Sequence, residues 1–165
     1  MLRDMDQVDH ILRQWHAERP DLDVVPMGLL GRLKRLTQHI SQHTEAVLAE
    51  HGLTPADFDV LATLRRAGSP YTLTPSTLIA WTMVTSGTMT HRIDRLVKPG
   101  YVERIRNPED GRGFQIRLTT QGLELIDKAV DSHVDNQHAM IRCLSDDERA
   151  ELDRLLGKWL ACFES

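Results

Sequence analysis

Residues 85–118 read TSGTMTHRIDRLVKPGYVERIRNPEDGRGFQIRL, and within them the spacing of the apolar residues changes from helical to alternating. In the first half, hydroxyl residues can cap a helix, and Met89, Ile93 and Leu96 recur at helical spacing. In the second half, the β-type runs YVERIR and FQIRLT are separated by the turn-rich segment NPEDGRG. The stretch therefore predicts a helix over about 85–98 followed by a two-stranded hairpin.

Helices are predicted on both sides of this stretch from hydrophobic periodicity and capping signals. Thr54, Pro55 and Asp57 form the pattern of an N-terminal capping box, and a Thr-Pro pair recurs at the start of the next, shorter helix. The predicted helices cover about 6–19, 26–51, Pro55 to the break at RAGSP, 75–81, 119–142 and a C-terminal segment that follows the capping sequence SDDE.

Three short helices followed by a two-stranded hairpin are the order of a winged helix-turn-helix domain. The break at 82–85 is then the turn, and 85–98 is the recognition helix that enters a DNA major groove. The predicted fold class is α+β and mostly helical, with a winged helix-turn-helix DNA-binding region over 53–119.

The charge of the chain is distributed unevenly. The net charge is −4 over 165 residues, yet residues 81–117 hold seven basic side chains against four acidic ones, a local surplus of +3. A basic block of this kind is the electrostatic footprint of a surface that meets DNA phosphates. The surplus coincides with the predicted recognition helix and hairpin.

Composition and motifs disfavour several other classes of protein. The chain is 41% hydrophobic and 27% charged, as is typical of soluble domains. No apolar run approaches the ~20 residues that span a bilayer. We therefore expect a cytoplasmic protein without membrane contact. No nucleophile, base and orienting residue occur at a spacing typical of catalysis, and no glycine-rich phosphate loop is present, so we expect no enzyme activity, no catalytic residues and no cofactor.

A helical wheel divides the predicted recognition helix into two faces. At 100° per residue, Met89, Leu96 and Val97 fall within about 60° of Ile93. The opposite face carries hydroxyl, imidazole and cationic groups that can hydrogen-bond base edges or phosphates, and the helix N-terminus adds free N–H groups. The residues predicted to contact DNA from this helix are Thr85, Ser86, Thr88, Thr90, His91, Arg95 and Lys98.

Arg112 lies near the tip of the predicted hairpin, between Gly111 and Gly113. An arginine at this position suits a narrow, electronegative minor groove. Asp110, two residues earlier, can hold the guanidinium in one direction. Asp110 and Arg112 complete the set of residues predicted to contact DNA.

The segments GLTPADFDVLATLRRAG, TSGTMTHRIDRL, GYVERI and PEDGRGFQIRLTTQG together resemble the MarR family of bacterial transcriptional regulators. The resemblance extends from about Pro26 to Phe163 and includes the Asp-x-Arg pair of the wing. It implies a homodimer with interlocking terminal helices, so that 1–52 and 120–165 form a helical dimerisation region. It also implies a repressor that binds a pseudo-palindromic operator in double-stranded DNA and is released by a small ligand.

The last predicted helix bears an apolar stripe that fits a partner helix. The stripe is too long for a terminal helix to cover with its own short chain, which agrees with the implied dimer. Its members are Leu152, Leu155, Leu156, Trp159, Leu160 and Phe163.

The segments WHAERPDLD, FDVLATLRRAGSPYTLTP and VTSGTMTHRIDRL also resemble the urate-responsive branch of that family. The resemblance maps a ligand pocket onto Trp15, Asp59, Arg92 and Arg104, and it implies a small anionic aromatic ligand such as urate or a related purine. Where that branch usually has Asn before the first of these arginines, the chain has His91.

The residues themselves give this mapping some support. Arg92 lies about 100° from the middle of the apolar face on the wheel, so it flanks the core. Asp59 is an acid within the apolar run FDVLATL, where an unpaired carboxylate would be costly. An arginine pair near Asp59 would offset that cost and could hold a planar anion bidentately. A structural ion pair between Asp59 and Arg92 is the alternative.

Other interpretations remain open on the sequence. A protein-binding helical module would use the long helices as its interface and would not bind DNA. A metal-responsive regulator would use His39 and His43, but no third ligand is evident, so two solvated histidines and no metal site are predicted. A redox-responsive regulator would use Cys143 or Cys162, but apolar neighbours predict that both are buried.

Overall fold

The computed structural model describes residues 4–82, 89–107 and 113–164. This part of the chain contains seven helices and three strands. In chain order they are α1 (Gln7–Glu18), α2 (Val25–Glu50), α3 (Pro55–Arg66), β1 (Thr72–Leu73), α4 (Pro75–Trp81), α5 (Met89–Val97), β2 (Val102–Arg106), β3 (Phe114–Leu118), α6 (Thr120–Ile141) and α7 (Asp146–Leu160). The chain divides into two compact units, Met1–His43 and Thr44–Ser165.

The unit Met1–His43 consists of α1 and the first part of α2. Asp6 caps α1: its carboxylate accepts from the backbone N–H of Asp9 at 2.9 Å, and the Asp9 side chain accepts from the Asp6 N–H at 3.0 Å. Arg32 of α2 donates to Asp6 at 2.8 Å and also pairs with Asp9. A polar cluster therefore attaches α1 to α2, with Val8 buried nearby on α1.

In the unit Thr44–Ser165, α3, α4, α5 and α6 pack with the sheet around one core. The sheet has the order β1-β3-β2, and β2 and β3 pair antiparallel from Val102 opposite Leu118 to Arg106 opposite Phe114. The hairpin strands, α4 and α5 all contribute side chains to this core. Its least exposed large side chains are Leu48, Leu61, Leu64, Leu78, Ile93, Ile116 and Ile126.

The helix boundaries confirm the capping predictions. Thr54 and Asp57 form the predicted box at the start of α3, with Pro55 in the first helical position. At the starts of α4, α6 and α7, a hydroxyl oxygen likewise accepts the backbone N–H of the residue three positions later. These capping residues are Thr74 for α4, Thr119 for α6 and Ser145 for α7.

The strand β1 is absent from the sequence-based prediction. Thr72 lies opposite Arg117, and Leu73 lies opposite Ile116. Two residues are too few for an alternating pattern to be recognised. This strand exists because the core places it beside β3.

The helix α7 contains no buried residue in the single chain. Its predicted apolar stripe is exposed except at Trp159, which is half-buried, and the leucine residues of the stripe range from 43% exposure at Leu156 to 54% at Leu160. Cys143 and Cys162 are also exposed, so the prediction that both are buried was wrong. Their apolar neighbours on α6 and α7 are exposed too and give the thiols no cover.

Candidate nucleic-acid interface

The described part of the recognition helix is α5, and its two faces agree with the helical wheel. Met89, Ile93 and Leu96 are buried against the core. His91 and Arg95 on the outward face are exposed, as are Thr90 in the first turn and Lys98 directly after the last residue of α5. These four side chains carry hydroxyl, imidazole and cationic groups that can hydrogen-bond base edges or phosphates, and their contact with DNA stays a prediction.

Arg95 is held by an acid from another helix. Its Nη2 donates to Oδ2 of Asp57 at 2.7 Å. The Asp57 side chain is only 5% exposed, whereas 47% of the Arg95 side chain remains exposed. Arg95 therefore reaches the outward face of α5 in a direction determined by α3.

Asp94, the preceding residue, connects α5 to the hairpin. Its Oδ1 accepts from Nη2 of Arg104 on β2 at 2.6 Å. The Arg104 guanidinium also lies 5.4 Å from the centre of the Phe114 ring on β3. Two neighbouring residues of α5 thus pair with two different elements, α3 and β2.

Arg92 lies on the flank of α5 and is half-buried, as the wheel predicts. Its Nη1 is buried and finds no hydrogen-bond acceptor among the described residues. Asp59 of α3 is half-buried and has a polar partner. A buried guanidinium N–H without an acceptor is costly, so this atom is well suited to meet an anion.

Some predicted site residues lie outside the described residues, and one lies in the unit Met1–His43. Thr85, Ser86 and Thr88 at the helix start, and Asp110 and Arg112 at the wing tip, lie outside the described residues. The base of the wing is defined: the Asn107 N–H donates to the Gly113 carbonyl at 3.0 Å. Trp15 lies on α1 in the unit Met1–His43 and is 40% exposed. Its role in a pocket remains a prediction.

The sequence indicates Asp57 only as a helix cap and does not indicate Asp94 as a site residue. Both are acids whose arginine partner is known only once the helices and the hairpin have packed. An acid in the middle of a cationic recognition helix, as Asp94 is, is the one local signal that could have pointed to such a pairing.

The two histidines considered for a metal site lie in the described part of the chain. His39 and His43 are exposed on α2, and the described residues include no group of three His, Cys, Asp or Glu side chains arranged to hold a metal. None of the helices in the described part is both long and apolar enough to cross a bilayer.

The fold has the elements of a winged helix-turn-helix DNA-binding protein. They are the short helix α4, the helix α5 with its polar and cationic outward face, and the hairpin of β2 and β3 that follows α5. Comparisons with known proteins identify the family. The sequence profile of the MarR family matches residues 51–113. The transcriptional regulator PecS of Dickeya dadantii (strain 3937) is 39% identical over 152 residues, which cover 92% of each chain.

The multiple antibiotic resistance protein MarR of Escherichia coli (strain K12) is 33% identical over 143 residues, covering 84% of this chain and 93% of that protein. The crystal structure of a MarR mutant from E. coli complexed with operator DNA is similar with a TM-score of 0.70 and 33% identity, over 83% of this chain and 95% of that one.

The chain belongs to the MarR family of transcriptional regulators. It is a DNA-binding regulator and not an enzyme. The family therefore sets aside the interpretation of a protein-binding helical module that does not bind DNA.

Proposed function

We propose that the protein is a homodimeric repressor that binds a pseudo-palindromic operator and is released by a small anionic aromatic ligand, such as urate or a related purine. The observation that carries the ligand proposal is the buried Nη1 of Arg92, which has no acceptor among the described residues. Because Arg92 belongs to the recognition helix, a ligand that binds it acts directly on the element that reads DNA.

The exposure of Thr90, His91 and Arg95 on α5, and of Lys98 directly after it, supports a DNA-contacting role for these four residues. Thr85, Ser86, Thr88, Asp110 and Arg112 complete the proposed DNA-contacting set on the strength of the sequence pattern. In this proposal, α5 reads base edges in the major groove and the wing tip contacts the minor groove.

Replacing Arg112 by Ala is expected to weaken binding to all duplexes by a similar factor, because a wing arginine senses groove shape and phosphates more than base edges. Replacing His91 by Ala should instead change which duplexes are preferred. Selection from a random duplex pool, followed by gel shift of selected and scrambled duplexes, measures both effects. Unchanged affinity and unchanged preference for both variants at moderate salt would refute the DNA-contacting roles.

The exposed apolar faces support the homodimer. The stripe on α7 has no cover in the single chain. On α2, Leu29, Leu33, Leu36 and Ile40 are likewise exposed. Contiguous apolar faces of this kind mark surfaces that another chain covers. A two-fold dimer would present two recognition helices to half-sites one helical turn apart, ~34–36 Å.

The arginines of the proposed pocket are both connected to the recognition helix. Arg92 is part of α5, and Arg104 lies on β2, which packs against α5, and pairs there with Asp94. An anion bound to Arg104 would compete with Asp94 for the guanidinium. An anion bound to Arg92 would supply the acceptor that Nη1 lacks. Either contact would change the interactions that hold α5 in place. A ligand can therefore shift the equilibrium between conformations that do and do not bind DNA.

Asp59 and Trp15 belong to the proposed ligand-binding set through the resemblance to the urate-responsive branch. Asp59 lies on α3, one residue after Phe58, and is half-buried. We expect Asp59→Asn to weaken the attraction between this position and the two arginines of the proposed pocket. The variant should therefore bind DNA more weakly, as the wild type does with ligand.

Replacing Arg92 or Arg104 by Ala is expected to abolish the effect of the ligand while part of the DNA binding remains. For the wild type, a coupling of roughly 1–3 kcal/mol would lower DNA affinity about 5- to 150-fold at saturating ligand. Titration of the protein–DNA complex with urate, xanthine and salicylate, followed by gel shift, measures this loss for each variant.

Arg117→Ala is the matched control, because Arg117 on β3 forms a surface ion pair with Glu103 and belongs to neither proposed site. This variant should release DNA as the wild type does. Should Arg92→Ala and Arg104→Ala also release DNA at the wild-type ligand concentration, the ligand site lies elsewhere. Transcription in vitro from a promoter that contains the selected operator tests the repressor mode.

A further inference from the structure

We infer that Asp57 is a positioning residue for DNA recognition: a single carboxylate caps α3 and, through Arg95, determines how the recognition helix meets DNA. We call Thr54, Asp57 and Arg95 the Asp57 cluster. This inference rests on the proposed DNA-contacting role of Arg95 and is independent of the proposed ligand.

One oxygen atom of the Asp57 carboxylate accepts all the hydrogen bonds that this group receives from the described residues. Oδ2 of Asp57 accepts from the Thr54 hydroxyl at 2.7 Å, from the Thr54 backbone N–H at 3.3 Å and from Nη2 of Arg95 at 2.7 Å. The second oxygen, Oδ1, is buried and has no hydrogen-bond partner among the described residues. The end of the Arg95 side chain is therefore tied to the first turn of α3.

Burial makes this arrangement more than a surface ion pair. Asp57 is 4% exposed as a residue, and a carboxylate that far from solvent is stable in its charged form only when it is paired. Thr54 supplies neutral hydrogen bonds, and Arg95 supplies the positive charge. Pairing with Arg95 therefore stabilises the buried Asp57 carboxylate, and Arg95 is 38 residues away on a different helix.

The Asp57–Arg95 pair affects DNA recognition because of where Arg95 lies. Arg95 lies on the outward face of α5, and about half of its side chain, 47%, remains exposed. An arginine in a fixed orientation can meet one base edge or one phosphate. A free arginine on the same face would follow any phosphate within reach, and phosphate contacts carry no sequence information. Asp57 therefore favours selective contact over general attraction to DNA.

Replacing Asp57 by Asn is expected to separate specific from non-specific binding. The side chain keeps its size and an oxygen for the cap, but it loses the charge that holds Arg95. We expect the ratio of affinities for a duplex selected by the protein and a scrambled duplex of equal composition to fall at least tenfold. Because one cation becomes free to meet a phosphate, the slope of log K against log salt for the scrambled duplex should steepen by about 0.9.

Two control variants isolate the cause. Glu103→Gln makes the same change in net charge at a surface pair outside α5, so its affinity ratio should remain that of the wild type. Thr54→Ala weakens the cap of α3 without removing the charge on Asp57 and should lower the melting temperature while leaving the affinity ratio within twofold of the wild type.

Arg95→Lys provides a second measurement that does not require a neutral residue at position 57. It keeps the positive charge beside Asp57 but loses the planar guanidinium, so the affinity ratio should fall at least threefold while binding to the scrambled duplex persists. In the presence of Arg95→Lys, Asp57→Asn should produce less additional loss of the ratio than it produces alone. Parallel weakening on both duplexes, or a wild-type ratio in Arg95→Lys, would overturn the inference.

Discussion

Replacing Gly122 by Ala is expected to lower the free energy of unfolding by about 3 kcal/mol, the upper part of the range for overpacking a filled site. Gly122 lies in the first turn of α6, at the corner where the hairpin continues into that helix. A Cβ at this position would lie 1.9 Å from the carbonyl oxygen of Tyr101 and 2.8 Å from its carbonyl carbon. Both are backbone atoms and cannot move aside as the end of a side chain can.

The surrounding hydrogen bonds keep this corner from relaxing. The Gly122 N–H donates to Oγ1 of Thr119 at 3.0 Å, and the Thr119 N–H donates to the Tyr101 carbonyl at 3.1 Å. The Tyr101 N–H in turn donates to the carbonyl of Leu96 on the recognition helix at 3.0 Å. A methyl group at 122 must therefore displace α6 or the segment that follows α5.

Urea denaturation of wild type, Gly122→Ala and Gly157→Ala measures the effect. Gly157 is the matched control because it lies within α7 and nothing approaches within 4 Å of a Cβ there. Alanine at 157 should be neutral or should stabilise by up to about 1 kcal/mol, since glycine is a poor helix former. Surface substitutions usually change the free energy of unfolding by no more than about 0.5 kcal/mol. If Gly122→Ala differs from the wild type by no more than that, the close approach of a Cβ at 122 to the Tyr101 carbonyl is contradicted.

Replacing Leu156 by Glu is expected to dissociate the proposed dimer. Full burial of a leucine side chain contributes roughly 1.5–3 kcal/mol, and a two-fold interface contains both copies. The dimer dissociation constant should therefore rise by about two to four orders of magnitude. Leu156 lies in the middle of the α7 stripe, where the new carboxylate would face the apolar surface of the partner.

Sedimentation equilibrium at micromolar concentration, with gel shift on full and half operators, follows the dissociation. Affinity for a full operator should fall toward that for a half-site, because the two recognition helices no longer act together. Lys158→Glu introduces the same acid two positions later on α7, outside the stripe, and should remain dimeric. The homodimer proposal fails if Leu156→Glu remains a dimer, or if the wild type is a monomer under these conditions.

Features that depend on neighbouring residues could be predicted from the amino-acid sequence. The caps at Thr54, Thr74, Thr119 and Ser145 join groups three residues apart, so a short motif is enough to predict each one. The buried and exposed faces of α5 follow from the 3.6-residue period, which is likewise local. The fold class and the family were accessible for the same reason, because both depend on the order of such elements and on short motifs.

The side chains that meet across the fold could not be predicted in this way, because their pairing depends on how the elements pack. Arg95 pairs with Asp57, Arg104 pairs with Asp94, and β1 forms beside β3. Each pairing joins residues that are not neighbours along the chain, and an arginine has several acids within possible reach until packing determines which of them it meets. The exposure of Cys143 and Cys162 has the same origin, since apolar neighbours bury a side chain only when another surface covers them. Local hydrogen bonds and periodicity thus determined the elements, whereas the packing of the core determined the partners of their charged side chains.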